Sequence, residues 1–184
     1  MLDFLKGKVV YVDKDFVGLD VHDFGFRIYT SNVNNYQINS DYTFYVSEVL
    51  KDEEIVVFGF STHKELKLFQ KIINVNGVGV KTALALLNNF TVEQLIYLIK
   101  SKNSRDLVVV PGVGTRADRI ILGLYNKLND IDDGKIFRYE NVFKALKQIG
   151  YKSIDISSAL EKIPNDLSDN EATKLVIREI NNAK

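Results

Sequence analysis

Two short glycine-containing segments carry the residues of this chain that are best suited to chemistry. NGVGVKT spans residues 76–82 and PGVGTRA spans residues 111–117, so that Gly-Val-Gly occurs twice. Glycine adopts positive φ and lets a ligand approach the backbone, and the N-terminus of a following helix offers unpaired N–H groups and a favourable dipole end. Lys81 and Arg116 each lie four residues after the first glycine of their copy and add a cation. The pattern predicts that both segments bind phosphate groups.

The spacing of the glycines excludes the two common nucleotide-binding loops. A P-loop has the form G-x-x-x-x-G-K-[ST], but Val80 separates Gly79 from Lys81. The dinucleotide fingerprint needs a third glycine three positions after the second, where Thr82 and Ala117 stand. Both segments also follow a helical rather than a strand pattern. What remains is helix, tight turn and helix, which is the helix-hairpin-helix pattern of sequence-independent DNA binding.

The second copy is shorter than the first. Gly77 precedes Ala83 by six positions, whereas Gly112 precedes Ala117 by five. A single Gly-x-Gly could equally be a tight turn between packed helices, but two copies within one basic segment favour phosphate binding.

The expected phosphate-binding residues form one stretch in each copy. We expect positive φ at the second glycine of each copy, Gly79 and Gly114, where a β-branched residue would fit poorly. The full expected set is Gly77, Val78, Gly79, Lys81 and Thr82 in the first copy and Gly112, Val113, Gly114, Thr115 and Arg116 in the second.

The charges are unevenly distributed along a chain that is neutral overall. Its 184 residues contain 24 basic and 24 acidic side chains. Residues 1–63 carry 5 basic and 10 acidic residues, residues 64–128 carry 10 and 4, and residues 129–184 carry 9 and 10. The middle segment, which contains both glycine turns, is therefore a basic module, as nucleic-acid binding requires.

The sequence also indicates which functions to set aside. The chain has no cysteine and two scattered histidines, His22 and His63, so we expect no disulfide, no metal and no cofactor. It has no secretory leader pattern and no apolar run of membrane-spanning length, which predicts a cytoplasmic protein.

The hydrophobic pattern predicts an α+β multidomain protein. Short runs rich in Val, Ile, Phe and Tyr predict five strands over residues 4–12, 16–21, 24–30, 43–50 and 55–60, with an OB-fold barrel as the commonest closed form and an open sandwich as the alternative. Capping boxes at Thr62/Glu65 and Thr91/Gln94 begin a segment of about five helices, and Ser168/Glu171 opens the last of three helices in the tail. The predicted domains are a barrel at 1–62, a tandem helix-hairpin-helix domain at 63–128, a flexible acidic linker at 129–138 and a three-helix module at 139–184.

Taken together, the order and spacing of these parts resemble the RuvA family of Holliday-junction branch-migration proteins. The resemblance covers essentially the whole chain and is most specific in NGVGVKTALALL, VPGVGTRADRI, the Phe58-Gly59-Phe60 strand end and LKQIGY at 146–151. One departure is that the family's second hairpin normally carries two basic residues and a threonine where this chain is one residue short.

The resemblance implies a function, partners and further site residues. Proteins of this family form tetramers, or octamers on DNA, that hold a four-way junction open. Their C-terminal UBA-like module tethers the hexameric ATPase RuvB, and a RuvC-type resolvase is a further possible partner. By the same resemblance, Asp52 and Glu53 fall on an acidic pin at the junction centre, Leu146, Ile149 and Tyr151 match the motor-docking positions, and the chain has no catalytic residue of its own.

Two other classes of function remain as alternatives. A helix-hairpin-helix glycosylase or repair accessory protein would want a catalytic Asp or Lys shortly after the second hairpin, whereas Asp118 lies inside it. An OB-fold single-strand binder would need basic and aromatic residues interleaved on the barrel, and the excess of acidic residues in 1–63 speaks against that.

Overall fold

A closed five-stranded barrel forms the N-terminal domain. The computed structural model describes residues 1–131 and 138–182, without the side chains of residues 153 and 154. The strands pair in the order β1-β2-β3-β5-β4. They are β1 (Phe4–Val12), β2 (Phe16–Val21), β3 (Phe24–Tyr29), β4 (Asp41–Lys51) and β5 (Glu54–Phe60). The prediction of five strands in a closed barrel is confirmed, and β4 begins two residues earlier than predicted.

The barrel closes where β5 runs parallel to β3, with Ile28 opposite Val57. A Cβ atom at Gly59 would lie only 2.4 Å from Ile28 Cγ2, so glycine is what allows this close approach. Phe58 and Phe60 flank the glycine and point the other way, where both rings pack on Phe69 at centroid distances of 5.2 and 4.8 Å. The Phe-Gly-Phe strand end therefore joins the barrel to the helices.

The helical domain contains the five helices that the sequence predicts. They are α1 (His63–Ile73), α2 (Val80–Asn89), α3 (Val92–Lys100), α4 (Ser104–Val108) and α5 (Ala117–Leu124), with a 3-10 turn at Gly114–Arg116 immediately before α5. Thr62 and Glu65 form both bonds of a capping box at the start of α1, and Thr91 and Gln94 do the same for α3. Both predicted caps are confirmed.

Three further helices follow within the described part of the tail: α6 (Glu140–Gln148), α7 (Ser153–Lys162) and α8 (Asp169–Asn182). The predicted capping box at the start of α8 is confirmed, because Glu171 N–H donates to Ser168 Oγ at 3.4 Å and Ser168 N–H donates to Glu171 Oε2 at 3.1 Å. This three-helix module packs against α3: the Tyr97 and Phe143 rings lie 3.9 Å apart between centroids. One continuous hydrophobic core extends through the helical domain and the module.

The predicted linker at 129–138 is only partly described. Its first residues are packed against the helical domain, since Ile131 is buried and Asp130 Oδ1 accepts from Lys71 Nζ at 2.9 Å. This lysine contact holds the pKa of Asp130 below its ordinary value. Residues 132–137 lie outside the described residues.

Within the described ranges, no single helix is both long and apolar enough to cross a membrane. Helices α2 and α3 reach the required length and composition only as a pair, and that pair is bent by 104°.

Candidate nucleic-acid interface

The two glycine segments fold into the same turn. Val78 N–H donates to the Val75 carbonyl at 2.9 Å, and Val113 N–H donates to the Val110 carbonyl at 3.1 Å. Each is a four-residue turn whose third residue is a glycine at positive φ, +77° for the first copy and +81° for the second. That is the type II pattern, which demands glycine at this position and favours proline before it, as the second copy has. The repeat in the sequence is therefore a repeat in the structure.

The prediction of positive φ at the second glycine is wrong in one copy. Gly79 has φ −98° and ψ 175°, because it is the extended N-cap of α2 and not part of the turn itself. Gly114 does have positive φ, at +42°. Apart from Gly79 itself and its two chain neighbours, no heavy atom of the described residues lies within 4 Å of a Cβ built at Gly79, so the space in front of it is open.

Each hairpin turns its central valine inward and its backbone outward. Val78 and Val113 are almost fully buried, so any contact they make with phosphate must come from their backbone and not from their side chains. In the first copy the helical ladder starts with Ala83 N–H donating to the Gly79 carbonyl at 3.1 Å. The N–H groups of residues 80–82 precede this bond and point out of the N-terminus of α2, which suits an anion.

The shorter second copy enters its helix differently. Arg116 N–H donates to the Val113 carbonyl at 2.8 Å, and Ala117 N–H donates to the Gly114 carbonyl, which together form the 3-10 turn. When the two helices are aligned on Ala83 and Ala117, Arg116 N–H corresponds to Thr82 N–H, so the second copy uses within its loop one N–H group that the first copy leaves at the helix N-terminus. The second copy therefore presents fewer backbone donors to a phosphate.

Burial locates the missing residue. In α2 the buried apolar positions are Ala83, Leu86 and Leu87, and in α5 the buried positions with the same spacing are Ala117, Ile120 and Ile121. The helices thus align alanine on alanine, and the residue that is missing falls in the loop that the 3-10 turn tightens.

Two contacts hold the two turns side by side, and a third is made within the second hairpin. Thr82 is largely buried, and its hydroxyl donates to the Gly112 carbonyl at 3.4 Å across the two hairpins. Arg116 Nη1 donates to the same carbonyl at 3.1 Å. Arg119 from α5 in turn contacts the first hairpin. Its guanidinium lies over Gly77, where an added Cβ atom would be 2.6 Å from Arg119 Nη1. Thr82 thus joins the hairpins through its side chain, while Lys81, Thr115 and Arg116 are exposed.

The predicted acidic pin is the tip of the hairpin between β4 and β5. Lys51 pairs with Glu54 and Leu50 with Ile55, so that Asp52 and Glu53 form a two-residue turn. All six residues from 50 to 55 are exposed. Asp52 and Glu53 have φ +48° and +67°, which are the left-handed conformations of a type I′ turn, where glycine and asparagine are usual. The two carboxylates project into solvent at the end of a ribbon.

The three predicted motor-docking residues differ in exposure. Gly150, at φ +100°, ends α6 in a Schellman motif: its N–H donates to the Lys147 carbonyl and Tyr151 N–H donates to the Leu146 carbonyl, both at 3.1 Å. Leu146 is fully buried and Tyr151 is half-buried, as the hydrophobic contact of that motif requires. Ile149, by contrast, is 70% exposed. Of the three, it offers the most apolar surface to a partner.

Sequence reasoning missed several residues at this interface. Arg119 gave no signal apart from its place in α5, because its contact with Gly77 is made between hairpins. Lys14 and Lys51 are isolated in an acidic segment, yet both face Lys81 across one cleft. The alternation of the β4–β5 ribbon could have placed Lys51 on the same face as Val49, but only the fold brings Lys14 to it.

Two chemical features of the described residues bear on enzymatic alternatives. In that part of the chain, no group of three His, Asp or Glu side chains is arranged to hold a metal ion. Asp118 is the second residue of α5, and its side chain is exposed.

Comparison with known proteins identifies the family. Residues 1–59 match the RuvA N-terminal domain, and residues 69–125 match the SAM-like helix-hairpin-helix tandem. The "Holliday junction branch migration complex subunit RuvA" of Thermodesulfovibrio yellowstonii is 33% identical and the alignment covers 97% of this chain and 94% of the relative. The proteins of the same name from Clostridium perfringens strain SM101 and Levilactobacillus brevis are 31% and 34% identical, with coverage of 97% and 91% of this chain and 100% and 90% of the relatives. With its barrel, its paired hairpins and this similarity along nearly its full length, the chain belongs to the RuvA family.

Proposed function

We propose that this chain is the DNA-binding subunit that recognises four-way Holliday junctions and positions the ATPase RuvB for branch migration in homologous recombination and DNA repair. The observation that carries the proposal is the pair of matching hairpins, held side by side in the most basic segment of the chain. Relatives that align over nearly the whole chain are named as subunits of a Holliday junction branch migration complex.

The hairpins would bind the phosphodiester backbone without reading its sequence. The first hairpin offers the N–H groups at the start of α2 with Lys81 beside them, and the second offers the backbone around Gly114 with Thr115 and Arg116. Because the second hairpin has a shorter loop and uses Arg116 N–H internally, its hold on a phosphate depends more on the arginine side chain. Two anchoring points on one rigid domain fix the direction of a duplex arm.

The pin would make the subunit selective for junctions. Carboxylates close to phosphates repel them, so Asp52 and Glu53 penalise a continuous duplex laid across the ribbon. At a crossover the strands diverge and leave room for the tip.

The three-helix module would bind the motor, and the chain itself would perform no catalysis. Exposed Ile149 with the partly exposed Tyr151 is the surface proposed for RuvB, while Leu146 supports it from the core. Assembly as a homotetramer, or an octamer on DNA, in the cytoplasm follows from the family resemblance, as does a possible RuvC-type resolvase partner.

Reconstitution with the motor tests the proposal. Purified chain and its cognate RuvB are mixed with ATP and a labelled synthetic four-way junction, and the separated duplex products are measured. We expect product only when both proteins and ATP are present, and ATP hydrolysis by RuvB that rises when the chain is added. Branch migration by RuvB at the same rate without the chain would contradict the proposed role.

A further inference from the structure

A cleft lies between the barrel and α2, the helix that follows the first hairpin turn. Its volume is about 640 Å³, within the range of roughly 300–1,000 Å³ that ligand sites occupy. One wall is the outer face of the barrel, including the β1–β2 turn, the end of β3 and the β4–β5 ribbon, and the other wall is α2. A pair of hydrogen bonds closes one end, since Asn32 N–H donates to Asn88 Oδ1 at 2.5 Å and Asn32 Nδ2 donates to the Leu87 carbonyl at 3.0 Å.

The rim of the cleft is cationic. Lys14 from the β1–β2 turn, Lys51 from the base of the pin and Lys81 from the first hairpin all line it, and Asp15 is the one carboxylate among its lining residues. The barrel segment as a whole is acidic, so these two barrel lysines create a local reversal of charge facing the DNA-binding helix. The rim connects the proposed phosphate site at Lys81 to the base of the pin.

The floor of the cleft is apolar and partly aromatic. Tyr29, Val56, Phe58, Val80 and Leu84 line it. The Tyr29 ring is held in place between Phe16 and Phe58, at centroid distances of 5.3 and 5.8 Å. A cationic rim over an apolar floor is the arrangement with which proteins hold single-stranded nucleic acid, because the lysines follow the backbone and the floor contacts the faces of unstacked bases.

We propose that this cleft binds unpaired nucleotides of the strand that passes from the first hairpin to the pin. The inference rests on the proposed function, because only an opened junction supplies such nucleotides beside a bound duplex arm. A continuous duplex keeps its bases stacked inside and can offer the floor little apolar contact. The cleft thus binds the unpaired strand while that strand exchanges one pairing partner for another.

Charge removal at the rim tests the proposal. In the full-length chain, Lys14→Gln and Lys51→Gln are combined, and Lys6→Gln combined with Lys8→Gln serves as the matched control, since both of those lysines are exposed on β1 away from the cleft lining. Affinities for a single-stranded oligonucleotide, a linear duplex and a four-way junction are measured from about 50 to 200 mM salt, where phosphate contacts dominate the dependence.

We expect the cleft variant to lose about tenfold in affinity for the single strand and for the junction, and its logarithmic salt slope to become shallower by roughly 1.4, about 0.7 for each lost single-strand phosphate contact. Its affinity for duplex should match that of the control variant. A cleft variant that binds all three DNAs with the control's affinities and slopes would overturn the inference.

Photo-crosslinking provides a readout that does not depend on affinity. A junction carrying 4-thiothymidine at the crossover is irradiated with the wild-type chain, and the crosslinked peptide is identified. We expect attachment at Tyr29 or its neighbours in the cleft, whereas attachment confined to the two hairpins would overturn the inference. If the wild type binds junction no tighter than duplex, the proposed function fails, and the single-strand measurement still decides whether the cleft binds nucleotides.

Discussion

Asp52 and Glu53 stand at positions where their side chains and their backbone conformations have opposite preferences. A type I′ turn favours Asn-Gly, whereas this tip has two acidic residues that are less favourable in that conformation. The β2–β3 hairpin makes a second turn of the same kind, with His22 and Asp23 at φ +50° and +69°. Turn geometry alone therefore does not distinguish the pin from the β2–β3 turn. The property that distinguishes the pin is the position of its charge relative to bound DNA.

Neutralising Asp52 and Glu53 tests whether their negative charge determines which DNA the chain prefers. If Asp52→Asn combined with Glu53→Gln removes repulsion at the crossover, binding should tighten, and duplex should gain more than junction, since repulsion disfavours a continuous duplex most. Each tenfold gain corresponds to about 1.4 kcal/mol. Affinities for junction and duplex are measured at one salt concentration.

The matched control is Asp23→Asn in the other hairpin, which makes the same chemical change in the same turn conformation. It should leave the ratio of junction to duplex affinity unchanged. A ratio that stays constant in the pin variant as well would mean that these carboxylates do not act as a pin.

Gly79 offers a test of phosphate approach that leaves the fold intact. Its φ of −98° suits any residue, and open space surrounds the position of its Cβ. We expect Gly79→Val to weaken junction binding by at least about tenfold, because the side chain occupies the space in front of the α2 N-terminus, at a folding cost of about 1 kcal/mol for a poorer N-cap. Binding is measured by titration and folding by thermal unfolding.

Gly25→Val is the comparison, since Gly25 lies in β3 and also has open space around its Cβ position. That variant should bind DNA as the wild type does. Equal binding by both variants would show that no phosphate approaches the first hairpin at this point.

At the scale of elements, the sequence predicted the strands and helix starts that depend on local residue patterns. Short runs rich in Val, Ile, Phe and Tyr defined the five strands, and the side chains of Thr62 and Thr91 defined helix starts, because a capping box is made within four residues. The predicted conformation of Gly79 is wrong because the turn of the first copy needs positive φ only at Gly77, and Gly79 serves as the extended N-cap of α2. The packing of the tail on α3 depends on contacts such as that between Tyr97 and Phe143, which no local pattern reveals.

The end of α6 shows how local structure refines a prediction about a partner. Leu146 and Tyr151 are accounted for by the Schellman motif, which leaves Ile149 as the exposed apolar side chain. We expect Ile149→Ser to change the free energy of unfolding by less than about 0.5 kcal/mol while strongly reducing the stimulation of RuvB ATPase activity. Leu146→Ala should instead lower the free energy of unfolding by about 2–5 kcal/mol.

Ile38→Ser on the barrel is the control for Ile149, because Ile38 is also exposed, at 54%. It should leave both stability and ATPase stimulation unchanged. Normal stimulation by the Ile149 variant would place the motor contact elsewhere on the module.

At the scale of the molecule, function depends on charge that is separated along the chain and brought together by folding. The helical segment is basic and the barrel segment acidic, and the cleft lysines connect the two regions. We expect the logarithm of junction affinity to fall linearly with the logarithm of salt concentration, because each phosphate contact releases counterions. Titrations at several salt concentrations measure this slope, and an affinity that is the same at about 50 and 200 mM salt would rule out the hairpins as phosphate sites.

The most direct test of the whole account is the ratio of the affinities of the wild-type chain for a four-way junction and for a linear duplex of the same arm sequence. Both are measured by gel shift or fluorescence titration at one salt concentration, with competitor duplex present. Hairpins that hold the arms and a pin that opposes continuous duplex predict that the junction binds at least about tenfold more tightly, a difference of about 1.4 kcal/mol. Equal affinity for the two DNAs would contradict the claim that this chain recognises junctions.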